Sequence, residues 1–138
     1  MRDAMREFAR LQSAMLLRRL AFQVSRTARS GKDPDAVHDL RVAIRRLSRC
    51  LRVFAEFYPG GSWKKKRREL ARLMQMAGRV RDRDVALALL AEAGAGRGGA
   101  IASRLEAERQ QAARDLQLET QRWKRSDFSR RWRTALEL

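Results

Sequence analysis

Apolar residues recur along this chain at steps of three and four, the spacing of one face of an α-helix. From Arg2 to about Arg29 no Gly or Pro intervenes, and Met5, Phe8, Leu11, Met15, Leu16 and Leu20 supply the seam of a first long helix. The stretch SGKDPDA then breaks it: Gly31 suits a C-terminal cap, Asp33 the N-cap of the next helix and Pro34 its first turn. Val37, Leu40, Ile44, Leu47, Leu51, Phe54 and Tyr58 form an uninterrupted heptad seam, so a second helix is expected to run to about Tyr58, where Pro59-Gly60-Gly61 stops it. Ser62 can cap a third helix starting at Trp63, with Leu70, Leu73, Ala77 and Val80 as its seam. Gly78, just ahead of RVRDRDV, predicts a bend or short break, with a fourth helix from about Asp84 to Ala93. The glycine-rich 94–99 reads as a flexible connector, a fifth helix follows from about Ala100 to Trp123, and Ser126-Asp127 can cap a last short one. The pattern predicts an all-α antiparallel helical bundle of about five to six helices, one domain over residues 1–138.

Composition agrees with the pattern and adds a partner. Ala, Leu, Arg, Glu, Gln and Met, the residues a helix penalises least, dominate, and only two prolines are present. A formal net charge of +16 on 138 residues is a self-repulsion that a polyanion would relieve. The charge is localised: residues 41–83 carry 14 basic and 3 acidic side chains, residues 100–123 carry 4 of each. Cys50 and His38 are the only residues of their kinds, too few for a disulfide or a structural zinc site, so no metal or cofactor is expected and a reducing cytoplasm fits. No apolar run approaches the ~20 residues a membrane-spanning helix requires, so no membrane partner is expected.

The second helix has a basic stripe beside its seam. At about 100° per residue, His38, Arg45 and Arg52 repeat on one flank, with Arg41 between that line and the apolar one. A solvated helix spaces acids three or four residues from its arginines, because such pairs gain about 0.2–0.5 kcal/mol and like pairs lose as much. Here the only acid before Glu56 is Asp39, which points away from the stripe. An external anion held in a basic groove on one face accounts for that strain, with His38 as a hydrogen-bond donor rather than a catalyst. Two further basic elements are candidates: WKKKRR at 63–68, from which Lys65 and, further on, Arg72 are taken, and RVRDRD at 79–84. At the expected bend, freed backbone N–H groups together with Arg79 and Arg81 can hold a phosphate, while Asp82 and Asp84 are read as caps or arginine orienters.

HDLRVAIRRL at 38–47 and GRVRDRDV at 78–85 resemble the two signature blocks of the CHAD domain, the conserved histidine α-helical domain. The first block looks like H-x-L-R-V-x-x-R-R-L, met by His38, Leu40, Arg41, Val42, Arg45, Arg46 and Leu47; the second, G-x-x-R-D-x-D-V, by Gly78, Arg81, Asp82, Asp84 and Val85. The resemblance implies a helical bundle whose basic cavity or groove binds inorganic polyphosphate, often at polyphosphate granules, and a binding module rather than an enzyme. Ser48 stands where the family often has an arginine, so Arg49 is the expected substitute. The match covers the first half of the family's usual length, with no second histidine motif, so the chain is expected to be either a half-length member or one whose C-terminal part is absent, and two copies paired about a two-fold axis would rebuild the bundle as a homodimer.

The leading expectation is therefore polyphosphate binding through His38, Arg41, Arg45, Arg46, Arg49, Arg52, Lys65, Arg72, Arg79 and Arg81. Nucleic acid is the second candidate partner: a pI near 11.6 favours it, but aromatics are few and lie off the stripe, and no helix-turn-helix or zinc-finger spacing is present. Histidine-dependent phosphotransfer is the weakest reading, because GAGRGG lacks the Lys and Ser/Thr of a P-loop and no catalytic carboxylate cluster accompanies His38.

Overall fold

In the computed structural model, which describes residues 1–94 and 99–138, the chain forms five α-helices. They are α1 (Arg2–Arg29), α2 (Pro34–Val53), α3 (Ser62–Glu92), α4 (Ala100–Arg125) and α5 (Phe128–Leu136), with a single 3₁₀ turn at Ala55–Phe57. Helices α1 and α3 stand diagonally opposite, each packed against both α2 and α4, so the first four helices form an antiparallel bundle. Leu17, Leu20, Val24, Leu40, Ile44, Leu47, Leu51, Leu70, Leu73 and Leu116 fill its centre. Helix α5 closes one end, where Phe128 packs edge-on against Trp123 and Trp132, and the two tryptophan rings meet at a tilt.

Several expectations are corrected by this packing. Helix α3 runs unbroken from Ser62 to Glu92, so there is no bend at Gly78 and no separate helix from Asp84. One glycine costs an α-helix only about 1 kcal/mol, which the buried seam Leu70, Leu73, Ala77 and Val80 outweighs. Helix α2 stops at Val53 instead of Tyr58, and the 3₁₀ turn carries the chain round so that Tyr58 still reaches the core. There its hydroxyl lies 2.6 Å from Ser13 Oγ, which in turn donates to the Ala9 carbonyl. Burial pushes the Tyr58 phenol above its ordinary pKa. In α1 the expected seam is largely on the wrong side: Met5, Phe8 and Leu11 are exposed, and Ala9, Ser13, Leu17, Leu20 and Val24 face the core. The helix is apolar on two faces, and the core takes the one whose small residues allow close approach. Ser62 lies inside α3 rather than capping it, donating to the Pro59 carbonyl, and Asp127 precedes α5 without a side-chain cap bond. The connector expected at 94–99 falls for the most part outside the described residues.

The turn between α1 and α2 is fixed from three sides. Asp33 caps α2 by accepting from the Asp35 N–H, with Pro34 in the first turn, as the sequence predicts. Gln117 and Gln121 of α4 both donate to the Ala28 carbonyl, and Arg109 donates to the Lys32 carbonyl at 2.7 Å. Gly31 is not a left-handed cap; it is there because a Cβ would meet Gln117 Cβ at 2.8 Å, so only glycine lets α4 come this close. The start of α2, and with it His38, is thus held by the far side of the bundle.

Candidate functional site

Over the two heptads of α2 from Val37 to Leu51, five residues are accounted for by burial: Val37, Leu40, Ile44, Leu47 and Leu51 face the core. On one side of that seam, Ala36, Ala43 and Cys50 turn to α1, Cys50 Sγ lying 3.5 Å from Ser13 Oγ. The other side borders α3, where Ser48 Oγ accepts a 3.2 Å hydrogen bond from Arg67 Nε. With helical rotation of about 100° per residue, Arg41, Arg45 and Arg52 lie within about 60° of Ser48 on this same flank, and His38 and Arg49 mark its outer edge. His38, Arg45, Arg49 and Arg52 are exposed; Arg41 is half-buried, and its Nε is buried without an acceptor.

Helix α3 answers with its own heptad line. Arg67, Met74 and Arg81 recur every seventh residue, about 20° apart in rotation, on the side of α3 that meets α2. Gly78 stands beside Arg81 on this side, and a Cβ built there meets nothing within 4 Å. Packing therefore does not demand a glycine at this position. The space it leaves lies at the His38 end of the flank, because α2 and α3 run antiparallel.

The other sequence candidates stand elsewhere. Arg46 lines the groove between α1 and α2. Arg72 lines a cavity of about 260 Å³ between α3, α4 and α5, with Glu69, Glu119 and Arg122. Lys65 and Arg79 are exposed and lie about 200° round α3 from Arg67 and Arg81 respectively, turned away from α2. The backbone N–H groups expected to open at 79–84 are engaged within the continuous α3 helix. Asp84 does act as an arginine orienter, pairing with the largely buried Arg109 on α4, and Asp82 is exposed.

Ion pairing separates this flank from the junction of α3 with α4. Asp39 leaves it to bind Arg26 of α1 at 2.5 Å. Across α3 and α4, Arg83 pairs with Glu108 and Arg109 with Asp84, while within α4 Arg104 and Arg122 take Glu108 and Glu119. Burial works to raise the Glu119 pKa, but hydrogen bonds from Arg122 and Trp123 outweigh it and hold the carboxyl below its usual range. Among the described residues, none of His38, Arg41, Arg45, Arg49, Arg52, Arg67 and Arg81 has a carboxylate within ion-pair distance.

The chain is an all-α antiparallel helical bundle with unpaired arginines on adjoining sides of two neighbouring helices. Residues 11–138 match the family model of the CHAD domain, and the chain belongs to that family, which is associated with polyphosphate binding. No curated protein and no solved structure matches the chain.

Proposed function

We propose that the chain is a binding module for inorganic polyphosphate, which it holds in a basic groove along the junction of α2 and α3. Arg41, Arg45, Arg52, Arg67 and Arg81 supply guanidinium forks to phosphate oxygens, a geometry that lysine cannot match, and His38 adds a hydrogen-bond donor at one end. The observation that supports this reading is that, among the described residues, no carboxylate lies within ion-pair distance of the flank, while the neighbouring Asp39, Asp84, Glu108 and Glu119 are each engaged by other arginines. Arg41 adds to it, since a buried guanidinium N–H without an acceptor costs about 1–3 kcal/mol that a bound anion nearby would help to offset. From His38 to Arg52 the line extends about 21 Å at 1.5 Å per residue, which suits an extended polyanion better than a single phosphate. In this reading the protein associates with polyphosphate granules in the cytoplasm.

Calorimetric titration with long-chain polyphosphate and, separately, duplex DNA at matched phosphate and salt tests the proposal. Polyphosphate should bind more tightly than DNA, and the affinity should fall steeply with salt as the entropy gained by releasing counterions shrinks. The variant Arg41→Ala/Arg45→Ala/Arg52→Ala/Arg81→Ala should lose both affinity and salt dependence. Equal binding of DNA and polyphosphate would transfer the reading to a nucleic-acid partner.

A further inference from the structure

Helix α1 carries a second apolar face, opposite its core side. Phe8, Leu11, Met15 and Phe22 follow steps of three, four and seven, and Phe8, Leu11 and Phe22 are 50%, 53% and 62% exposed. Only Phe8 has an aromatic neighbour, Phe54, at 5.9 Å between ring centroids. Towards its C-terminal half this face runs into a groove of about 510 Å³ between α1 and α2, floored by Met15, Phe22 and Val42. The rim is cationic: Arg18 and Arg19 stand on α1 and Arg46 on α2. Asp39, the one acid on the groove, is already bound by Arg26, and none of the three rim arginines has a carboxylate within ion-pair distance among the described residues.

We propose that this groove docks an acidic amphipathic helix of a partner protein, whose apolar stripe lies on Met15, Phe22 and Val42 and whose Asp or Glu residues meet Arg18, Arg19 and Arg46. Two parallel-sided helices with an apolar floor between them accept a third helix by the same ridge-and-groove packing that builds the bundle. The rim selects the sign of the partner's charge. A second copy of this chain fits poorly, because a +16 protein would bring arginine against arginine. The concave floor likewise suits a helix better than a lipid surface, which an amphipathic helix meets with a convex apolar ridge. The surface lies on the α1 side of α2, away from the flank assigned to polyphosphate, so both ligands can be held at once.

Fluorescence anisotropy tests this with two labelled synthetic helices that share one leucine stripe, one flanked by Glu and one by Lys. The Glu peptide should bind at least about tenfold more tightly than the Lys peptide. Phe22→Ala, an exposed position that leaves the core intact, and the charge reversal Arg18→Glu/Arg19→Glu/Arg46→Glu should each weaken it about tenfold or more. Arg41→Ala/Arg45→Ala/Arg52→Ala should leave peptide binding unchanged while polyphosphate binding falls. The proposal is overturned if both peptides bind alike, if the charge reversal changes nothing, or if the α2 triple variant is the one that abolishes peptide binding. Co-sedimentation with phosphatidylglycerol vesicles, or self-association, that Phe22→Ala removes would assign the face to a membrane or to a second copy instead.

Discussion

The two sides of α3 meet opposite fates with similar residues. Towards α4, Arg83 pairs with Glu108 and Asp84 with Arg109, so charge is spent on holding the bundle together. Towards α2, among the described residues, Arg67 and Arg81 have no carboxylate within ion-pair distance, and the one side-chain hydrogen bond across that junction runs from Arg67 to the Ser48 hydroxyl. An arginine count treats these sides as equals. What distinguishes them is where the acids are: α4 brings Glu108 and Glu119 to its side, whereas Asp39 of α2 is turned to Arg26 on α1. The paired side explains cohesion, and the unpaired side is available for an anion.

The strongest way to break this contrast is to make the open side resemble the closed one. Arg45→Glu/Arg52→Glu puts acids four and three residues from Arg41 and Arg49, with expected gains of about 0.2–0.5 kcal/mol per new helical pair. Polyphosphate affinity should fall about 100-fold or more, with no loss of thermal stability at low salt. Titration and thermal melts on the same sample check both halves of that expectation.

The reciprocal change goes to the closed side. Arg109→Ala leaves the largely buried Asp84 without its partner and frees the Lys32 carbonyl, so a loss of about 2–3 kcal/mol in urea denaturation is expected. Affinity for polyphosphate, measured where the variant is folded, should stay within about twofold of wild type. A smaller effect separates stability from binding at Gly78. Because a Cβ there meets nothing of the protein, Gly78→Ala should stabilise α3 by up to about 1 kcal/mol. If an anion uses that space, the same variant should bind more weakly, a trade that urea melts and calorimetry would read together.

The least effect concerns acid. Glu119 has its pKa lowered in the folded state by Arg122 and Trp123 against the upward push of burial, so its contribution is present above the ordinary carboxylate pKa. It fades as pH falls through the lowered folded value. With Arg122 well exposed, the amount should be under about 1 kcal/mol. Glu119→Gln should flatten that part of the stability profile while leaving polyphosphate binding at neutral pH unchanged.

Much of the fold was legible from spacing alone. The seams of α2 and α3 are buried as their heptads require, and Asp33 and Pro34 open α2 as their chemistry predicts. The failures have identifiable physical sources. Helix α1 offers two apolar faces, and periodicity cannot say which one the bundle buries. Gly78 looked like a break because glycine is a poor helix former, although a buried seam continues past it on both sides. That misreading also hid Arg67: its heptad relation to Arg81 is visible only if α3 is one helix, just as His38, Arg45 and Arg52 are visible on α2. Charge alone does not place Lys65 and Arg72, which helical rotation turns away from α2. Pairing is the part that sequence withholds most, since Arg26 to Asp39 and Arg109 to Asp84 join residues on different helices.

In the proposed function, the position of the arginines, and not their number, creates the anion site. Two triple variants that remove the same charge test it: Arg41→Ala/Arg45→Ala/Arg52→Ala on the unpaired flank, and Arg104→Ala/Arg122→Ala/Arg130→Ala, whose arginines are exposed and paired with Glu108, Glu119 and Asp127. Calorimetric titration of both with long-chain polyphosphate at physiological salt should show binding nearly lost in the first and close to wild type in the second. Equal weakening in both would mean that polyphosphate responds to net charge alone, and the α2–α3 flank would not be its site.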